Sequence, residues 1–268
     1  MIKRLFQFRN LHLFRNGLSI GLLSNRPPVF HAKYWRDFEH TMKPLRPLFD
    51  YLDKRPAWFF FSFGWCMEYP DRAAQVRQRQ LEHQRRYPSQ HWVFLATTPA
   101  ELDVLRDAGL DAMLVNQNCF VDERVYTIGP GVKKTFDAVY DARLSAFKRH
   151  ELAAELQSLA LISYIHKPGL SQEDHRYIRS LREVLPQAHW FNSPYSVWYR
   201  RLESAEVSDR LNRCRVGLCL SAEEGGMYAS IQYLLCGLPV VSTHSKGGRS
   251  EFFDPRYSRM VEADPVSV

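Results

Sequence analysis

The stretch from Leu218 to Arg249 constrains the fold most, because it reads as a strand, a glycine-containing turn, a helix and a second strand in close succession. The strand leads through LCLSAEEGGMY, the helix is ASIQYLLCG, the next strand is LPVVST, and the loop HSKGGR follows. Such an order belongs in a parallel sheet with a crossover helix. Gly225 and Gly226 let the backbone approach a ligand closely, and the helix behind them aims N–H groups and its positive dipole end at the same place. Ile231, Leu234 and Leu235 form the apolar stripe that buries this helix, and Gly237 stands where a left-handed C-terminal cap is wanted. Glycine pairs before helices also serve turn geometry alone, so taken by itself the segment leaves phosphate binding and plain loop shape both open.

The same alternation extends over the rest of the chain. Apolar runs with the length of buried strands occur at Leu18–Leu23, Trp58–Phe63, Trp92–Ala96 and Ala112–Val115, with helix-like segments between them. A helix is expected from Pro99 to Ala108: Thr98 can cap it, Pro99 suits the first turn, and Gly109 ends it. Gly129, Pro130 and Gly131 form a breaker cluster suited to a hinge, which divides the chain into an N-terminal domain, 1–131, and a C-terminal domain, 132–268. Beyond it, strands are expected at Asp137–Tyr140, Leu159–Ile165, His189–Phe191, Val216–Leu220 and Pro239–Ser242. The expected fold is α/β, with two Rossmann-like lobes of mostly parallel strands.

Composition narrows the partners. The 268 residues are 45% hydrophobic and 24% charged, the balance of a globular protein rather than a disordered one. A net charge of +7 favours an anionic partner: a nucleotide diphosphate, an acidic glycan, a lipid surface or nucleic acid. The Arg- and Gln-rich run from Arg72 to Arg86 lacks interleaved aromatics and reads as a solvated helix face, so no nucleic-acid partner is expected. No stretch approaches the roughly 18 uninterrupted apolar residues of a membrane span. Met1–Leu18 mixes Lys3, Arg4, Arg9 and Arg15 with apolar residues, and is either an ordinary first element or a peripheral contact with a membrane surface. Cys66, Cys119, Cys214, Cys219 and Cys236 lack CxxC spacing and read as reduced core residues of a cytoplasmic protein. The histidines form no metal-ligand spacing, so neither a metal nor a cofactor is expected.

The Leu218–Arg249 segment resembles the donor-binding motif of the retaining GT-B glycosyltransferases related to family four, the group 1 glycosyltransferases. That motif runs Ser, spacer, Glu-Gly, a second Glu eight positions after the first, and a small-residue Gly-Pro-Val-Val run. Ser221, Glu224, Gly225 and Gly237–Val241 occupy those places here, and Gln232 replaces the second glutamate. Gln232 keeps hydrogen-bonding capacity without the charge. Asp141–Lys148 is similar to the family's Gly-Arg loop, with Lys148 five positions after Arg143. Val115–Asn118 with Val121 and Asp122 is loosely similar to its Asn-Gly-Val-Asp segment. The first hundred residues carry little of the resemblance; Trp35, His31, His40, Trp65 and Glu68 are acceptor-side contacts or plain core and surface residues, and stay unassigned.

The resemblance implies a nucleotide-sugar donor held in a cleft between two lobes. Arg143 and Lys148 would take its diphosphate, Glu224 the sugar hydroxyls and Gln232 the ribose, with Gly225, Gly226, Met227, Tyr228 and Ala229 lining the turn into the helix. Cations are required there because the departing nucleoside diphosphate gains negative charge, and no metal-ligand set is present in the sequence to neutralise it. It further implies metal-independent transfer of a hexosyl group with retention, onto a cell-surface glycan or lipid-linked acceptor at the cytoplasmic face. Lys246–Arg249 either faces the donor or is a plain turn. Members of the class commonly finish with a helix crossing back to the N-terminal lobe, and the sequence stops at Asp264–Val268, about where that helix should begin, as a truncated piece would. The alternatives are a sugar-nucleotide epimerase, for which no acid/base set is apparent, a degenerate module that binds nucleotide or glycan without turnover, and a nucleic-acid-binding protein.

Overall fold

The computed structural model describes residues 20–34, 38–165 and 171–268. The basic opening segment Met1–Leu18 and Trp35 lie outside the described residues, as does the side chain of His40. The chain divides into two compact units, 1–119 and 120–268. The division falls ahead of the Gly129–Gly131 cluster for a physical reason: Tyr126 is buried in the second unit's core, and the Asn212 side chain bonds the backbone at Thr127 and Gly129. Residues 120–131 therefore pack with the second unit.

The first unit holds a five-stranded sheet in sequential order: β1 (Ile20–Asn25), β2 (Pro28–Tyr34), β3 (Ala57–Phe63), β4 (Gln90–Ala96) and β5 (Ala112–Leu114). Only β1 and β2 pair antiparallel. Three helices join the parallel strands: α1 (Phe38–Tyr51), α2 (Pro70–Arg86) and α3 (Pro99–Asp107). The Thr98 side chain caps α3 by accepting from Glu101 N, and Gly109 leaves it at a positive φ of 77°, both as the sequence predicts. The α2 face buries only Ala73, Val76, Gln80 and His83; Arg79, Arg85 and Arg86 are exposed, while Arg72 and Arg77 are half-buried and bond Cys66 O and Gln80. The core stacks Phe59, Phe61, Phe63, Trp92 and Phe94 from β3 and β4 against Phe49 and Tyr34.

The second unit holds a six-stranded, all-parallel sheet in the order β11-β10-β9-β6-β7-β8. Its strands are β6 (Phe136–Arg143), β7 (Leu159–Tyr164), β8 (His189–Trp190), β9 (Cys214–Cys219), β10 (Val240–Thr243) and β11 (Ser258–Val261). Helices α4 (Gln172–Val184), α5 (Ser204–Asn212) and α6 (Tyr228–Leu235) connect them. The chain builds outward from β6 to β8, then returns to the other side of β6 with β9 and builds outward again. The order thus reverses between β6 and β9, the place where doubly wound sheets open a crevice at their carboxyl ends. The α6 helix ends as expected: Gly237 adopts φ 74°, and Gly237 N and Leu238 N bond back to Leu234 O and Tyr233 O.

Four of the five cysteines are buried, but Cys119 is exposed, contrary to the core role expected of all five; it sits in the short turn Gln117–Phe120 after β5. No helix among the described residues is long and apolar enough to cross a membrane.

Candidate donor site at the carboxyl edge of the second sheet

β6 ends at Arg143, and the chain then turns sharply twice. A 3-10 turn, Ala146–Lys148, leads into Arg149 at φ 52°, and a second turn, His150–Ala153, follows. A left-handed conformation disfavours a side chain with a Cβ, and here the Arg149 guanidinium compensates by donating to Leu220 O at 2.7 Å and Thr243 Oγ1 at 2.9 Å. The corner is thereby tied to the ends of β9 and β10, and Lys148 is driven inward; its carbonyl accepts from the buried Tyr140 hydroxyl at 2.7 Å.

The opposite wall comes from the loop after β9. Glu224 N donates to Lys246 O, Lys246 N to Ala222 O, and Gly248 N to Gly225 O at 2.6 Å, which laces this loop to the one after β10. Arg249 is fully buried: it donates to Ser221 O at 2.6 Å, Ser221 Oγ at 3.1 Å, Ser242 Oγ at 3.0 Å and Thr243 O. It is an internal clamp on the two loops rather than a donor-facing or plain-turn residue.

Between these walls, Lys148 and Glu224 form an ion pair with 7% and 10% of their side chains exposed. The Glu224 oxygen that pairs with Lys148, Oε1, also accepts from Ser221 Oγ at 2.6 Å. Its second oxygen, Oε2, accepts nothing from any described residue. Two elements 76 residues apart are thus joined at the point of strand reversal. Immediately beyond lies the α6 N-terminus. Met227 occupies its cap position without a side-chain hydrogen bond, and Tyr228 and Ala229 open the helix. Gly225 is buried and Gly226 half-buried in the turn before it. Gln232 lies half-buried on the first turns of α6, and its amide makes no hydrogen bond among the described residues.

Helix α6 reaches its seat because β9 has glycine at 217. A Cβ there would lie 2.3 Å from the Tyr233 ring. Tyr233, fully buried, crosses the sheet instead and accepts from Asp141 N at 2.7 Å, fixing the end of β6 against α6.

Charge at this edge is unevenly matched. Burial pushes the Asp141 carboxyl up to about 7, with Arg201 and then Lys148 holding it down. Burial raises the Tyr164 hydroxyl to about 12; Asp141 and Glu224 add to the rise, while Arg201 and Arg143 oppose it. His150, buried behind Lys148, is pushed down to about 3 by desolvation and by that lysine, so it is neutral at physiological pH. Among the described residues no three His, Cys, Asp or Glu side chains gather as a metal site.

Of the sequence-predicted residues, Lys148 and Glu224 are in direct contact, and Gly225, Gly226, Met227, Tyr228, Ala229 and Gln232 follow Glu224 into α6. Arg143 ends β6, opposite Tyr164 in the register of β7. Asp141 opens the Asp141–Lys148 segment and Arg149 follows it, and the resemblance gives neither of them a role. Arg201 carried no local signal; the loop after β8 delivers it. In the first unit, Asn116 is buried and donates to Thr97 O at 3.0 Å, while Asp122, already in the second unit, pairs with Arg124 at the surface.

Two mostly parallel sheets in successive units, the second reversing its order beside a glycine turn and a short helix, make this an α/β protein with the GT-B glycosyltransferase fold. The solved structures it resembles include Anabaena HepE in complex with UDP, at TM-score 0.59 and 15% identity over 85% of this chain. Sucrose-phosphate synthase from Thermosynechococcus elongatus aligns at TM-score 0.58 and 14% identity over 87% of this chain and 67% of its own. The pneumococcal O-GlcNAc transferase GtfA, in complex with UDP and GlcNAc, aligns at TM-score 0.54 and 13% identity over 85% of this chain and 45% of its own. The chain spans 65% of the HepE chain, just under two thirds. No family model matches the sequence, and no curated protein matches it.

Proposed function

We propose that the second unit binds a nucleotide-sugar donor at the carboxyl edge between β6 and β9, and that the protein is a retaining glycosyltransferase acting on a cell-surface glycan or lipid-linked acceptor. One observation carries this reading: Lys148 from the β6 side and the Ser221–Glu224 pair from the β9 side meet where the strand order reverses, directly ahead of a helix N-terminus. HepE, bound to UDP in its solved structure, shares the fold and supports the donor class.

In this reading Arg143 and Lys148 take the diphosphate, the open Glu224 Oε2 accepts from a sugar hydroxyl, and Gln232 hydrogen-bonds the ribose. Gly225, Gly226, Met227, Tyr228 and Ala229 bring backbone close to the phosphates. The bond from the anomeric carbon to the phosphate oxygen breaks, the acceptor oxygen attacks the same face, and its proton passes to the departing phosphate. Cationic side chains stabilise the leaving group, so the reaction needs no metal. Hexosyl transfer at the cytoplasmic face, with peripheral membrane contact through Met1–Leu18, completes the proposal.

The test is turnover with UDP-glucose, UDP-GlcNAc and GDP-mannose in the presence of EDTA, following nucleotide release and the anomeric proton of the first-formed product by NMR. Release that Glu224→Gln abolishes, with retained configuration, supports the reading; inversion overturns retention, and a requirement for added divalent metal overturns metal independence. A second reading, a donor-binding module without turnover, is favoured by Gln232 standing in place of the family's second glutamate. Nucleotide binding without release from any donor would select it.

A further inference from the structure

We infer that Arg201 is a second arginine for the donor's anionic portion, forming with Arg143 a clamp across Tyr164 that no part of the sequence motif predicts. The inference rests on the donor-site reading above and extends it to the opposite side of β6. Three placements support it. Arg143 ends β6 and Tyr164 ends β7, and the two are register partners across the parallel pair, so their side chains leave the sheet as neighbours at its carboxyl edge. Arg201 arrives from the loop after β8 and sets its guanidinium over the Tyr164 ring, 5.2 Å from the centroid. That loop is pinned beneath it: Asn192 Nδ2 donates to Arg200 O at 3.0 Å, and the Tyr199 hydroxyl accepts from Ile165 N at 2.9 Å. Arg201 is therefore presented by a fixed backbone, while its own side chain stays exposed.

Two neighbouring cations are committed elsewhere: Arg149 is spent on Leu220 and Thr243, and Arg249 is buried in the loop clamp. Lys148, the diphosphate ligand proposed above, shares its charge with Glu224. Arg200, next in sequence, pairs with Glu206. By contrast, the guanidinium groups of Arg143 and Arg201 donate no hydrogen bond to any described residue. Planar, multi-donor cations on more than one side suit a diphosphate well, and among the described residues of this edge these two arginines have donors to offer. Stacking on Tyr164 holds the Arg201 plane in place without using its N–H groups, which lowers the ordering cost of binding.

The probe is UDP, with GDP, ADP and dTDP as parallel arms, titrated calorimetrically into the full chain and into Arg201→Ala, Arg201→Lys and Arg200→Ala. Loss of a charge-assisted contact weakens binding about tenfold or more. Arg201→Ala is expected to show that loss with an unchanged melting temperature in the absence of nucleotide, Arg201→Lys part of it, and Arg200→Ala none. If a nucleotide binds the wild type and Arg201→Ala binds it equally well, the clamp is wrong and the donor-site reading stands. If none of the four nucleotides binds the folded wild type, the donor-site reading falls and the clamp falls with it.

Discussion

Each unit places a largely buried glutamate at the carboxyl edge of its parallel strands, and the two are held in opposite ways. Glu101, fully buried in the first unit, accepts from Met67 N on one oxygen and from Thr97 N and Thr97 Oγ1 on the other. Every partner is neutral, both oxygens are used, and burial raises its pKa against the pull of those hydrogen bonds. It fastens the loop after β3 to the loop after β4 and is wholly enclosed by protein. Glu224 instead takes Lys148 and Ser221 on a single oxygen and leaves the other open. The sheets differ in the same sense: strand order runs sequentially in the first and reverses in the second. Within this chain, a satisfied carboxylate marks loop architecture, and the half-used ion pair at the strand reversal is the one the proposed function assigns to the donor.

The strongest way to break that contrast is to remove one partner of the ion pair. Glu224→Ala is expected to cost about 3–5 kcal/mol, because Lys148 would be left buried and uncompensated. Urea denaturation would show it, and pairing the change with Lys148→Met should restore much of the loss; strictly additive losses would mean the two groups are not coupled. Glu101→Ala should cost about 2–3 kcal/mol by orphaning backbone N–H groups, yet leave nucleotide affinity in the second unit unaltered. A large change in affinity would erase the distinction between the two glutamates. Gly217→Ala should cost about 1–3 kcal/mol through overpacking against Tyr233, and should weaken nucleotide binding by shifting α6; a stable variant with native affinity would show that the seat of α6 tolerates movement.

The smallest effect concerns pH. Asp141 sits near 7 in the folded chain against 3.8 for an unperturbed aspartate. The native state therefore holds a proton that the unfolded chain has released, and this group's contribution to stability falls as pH rises from about 4 to about 7, then levels off. The melting temperature of Asp141→Asn relative to wild type should accordingly rise across that window and stay flat above it. A constant difference would place Asp141 in ordinary solvent.

Much of this was legible beforehand, and the gaps have physical causes. Continuous apolar runs announced β3, β4 and β7, and capping chemistry announced α3 and the end of α6. β2 gives no continuous apolar run because it is half-buried: only Phe30, Ala32 and Tyr34 point inward, which is alternation. Pro44 and Pro47 disguise α1, since proline ordinarily interrupts helices. β11 is a short edge strand with no buried residue. At the site, the resemblance to the family motif singles out Lys148 and Glu224, but their pairing, the burial of Arg249 and the arrival of Arg201 depend on loops that only the strand order brings together.

The central claim is that an anionic nucleotide binds at the strand reversal of the second unit. It is tested most directly by thermal shift of the purified chain with UDP, GDP, CMP, ADP and dTDP, using Arg143→Ala and Glu224→Gln and reading the ligand-induced shift rather than the absolute melting temperature. The account predicts stabilisation by at least one nucleotide that both substitutions reduce. A folded chain that no nucleotide stabilises, or one stabilised equally in both variants, would contradict it.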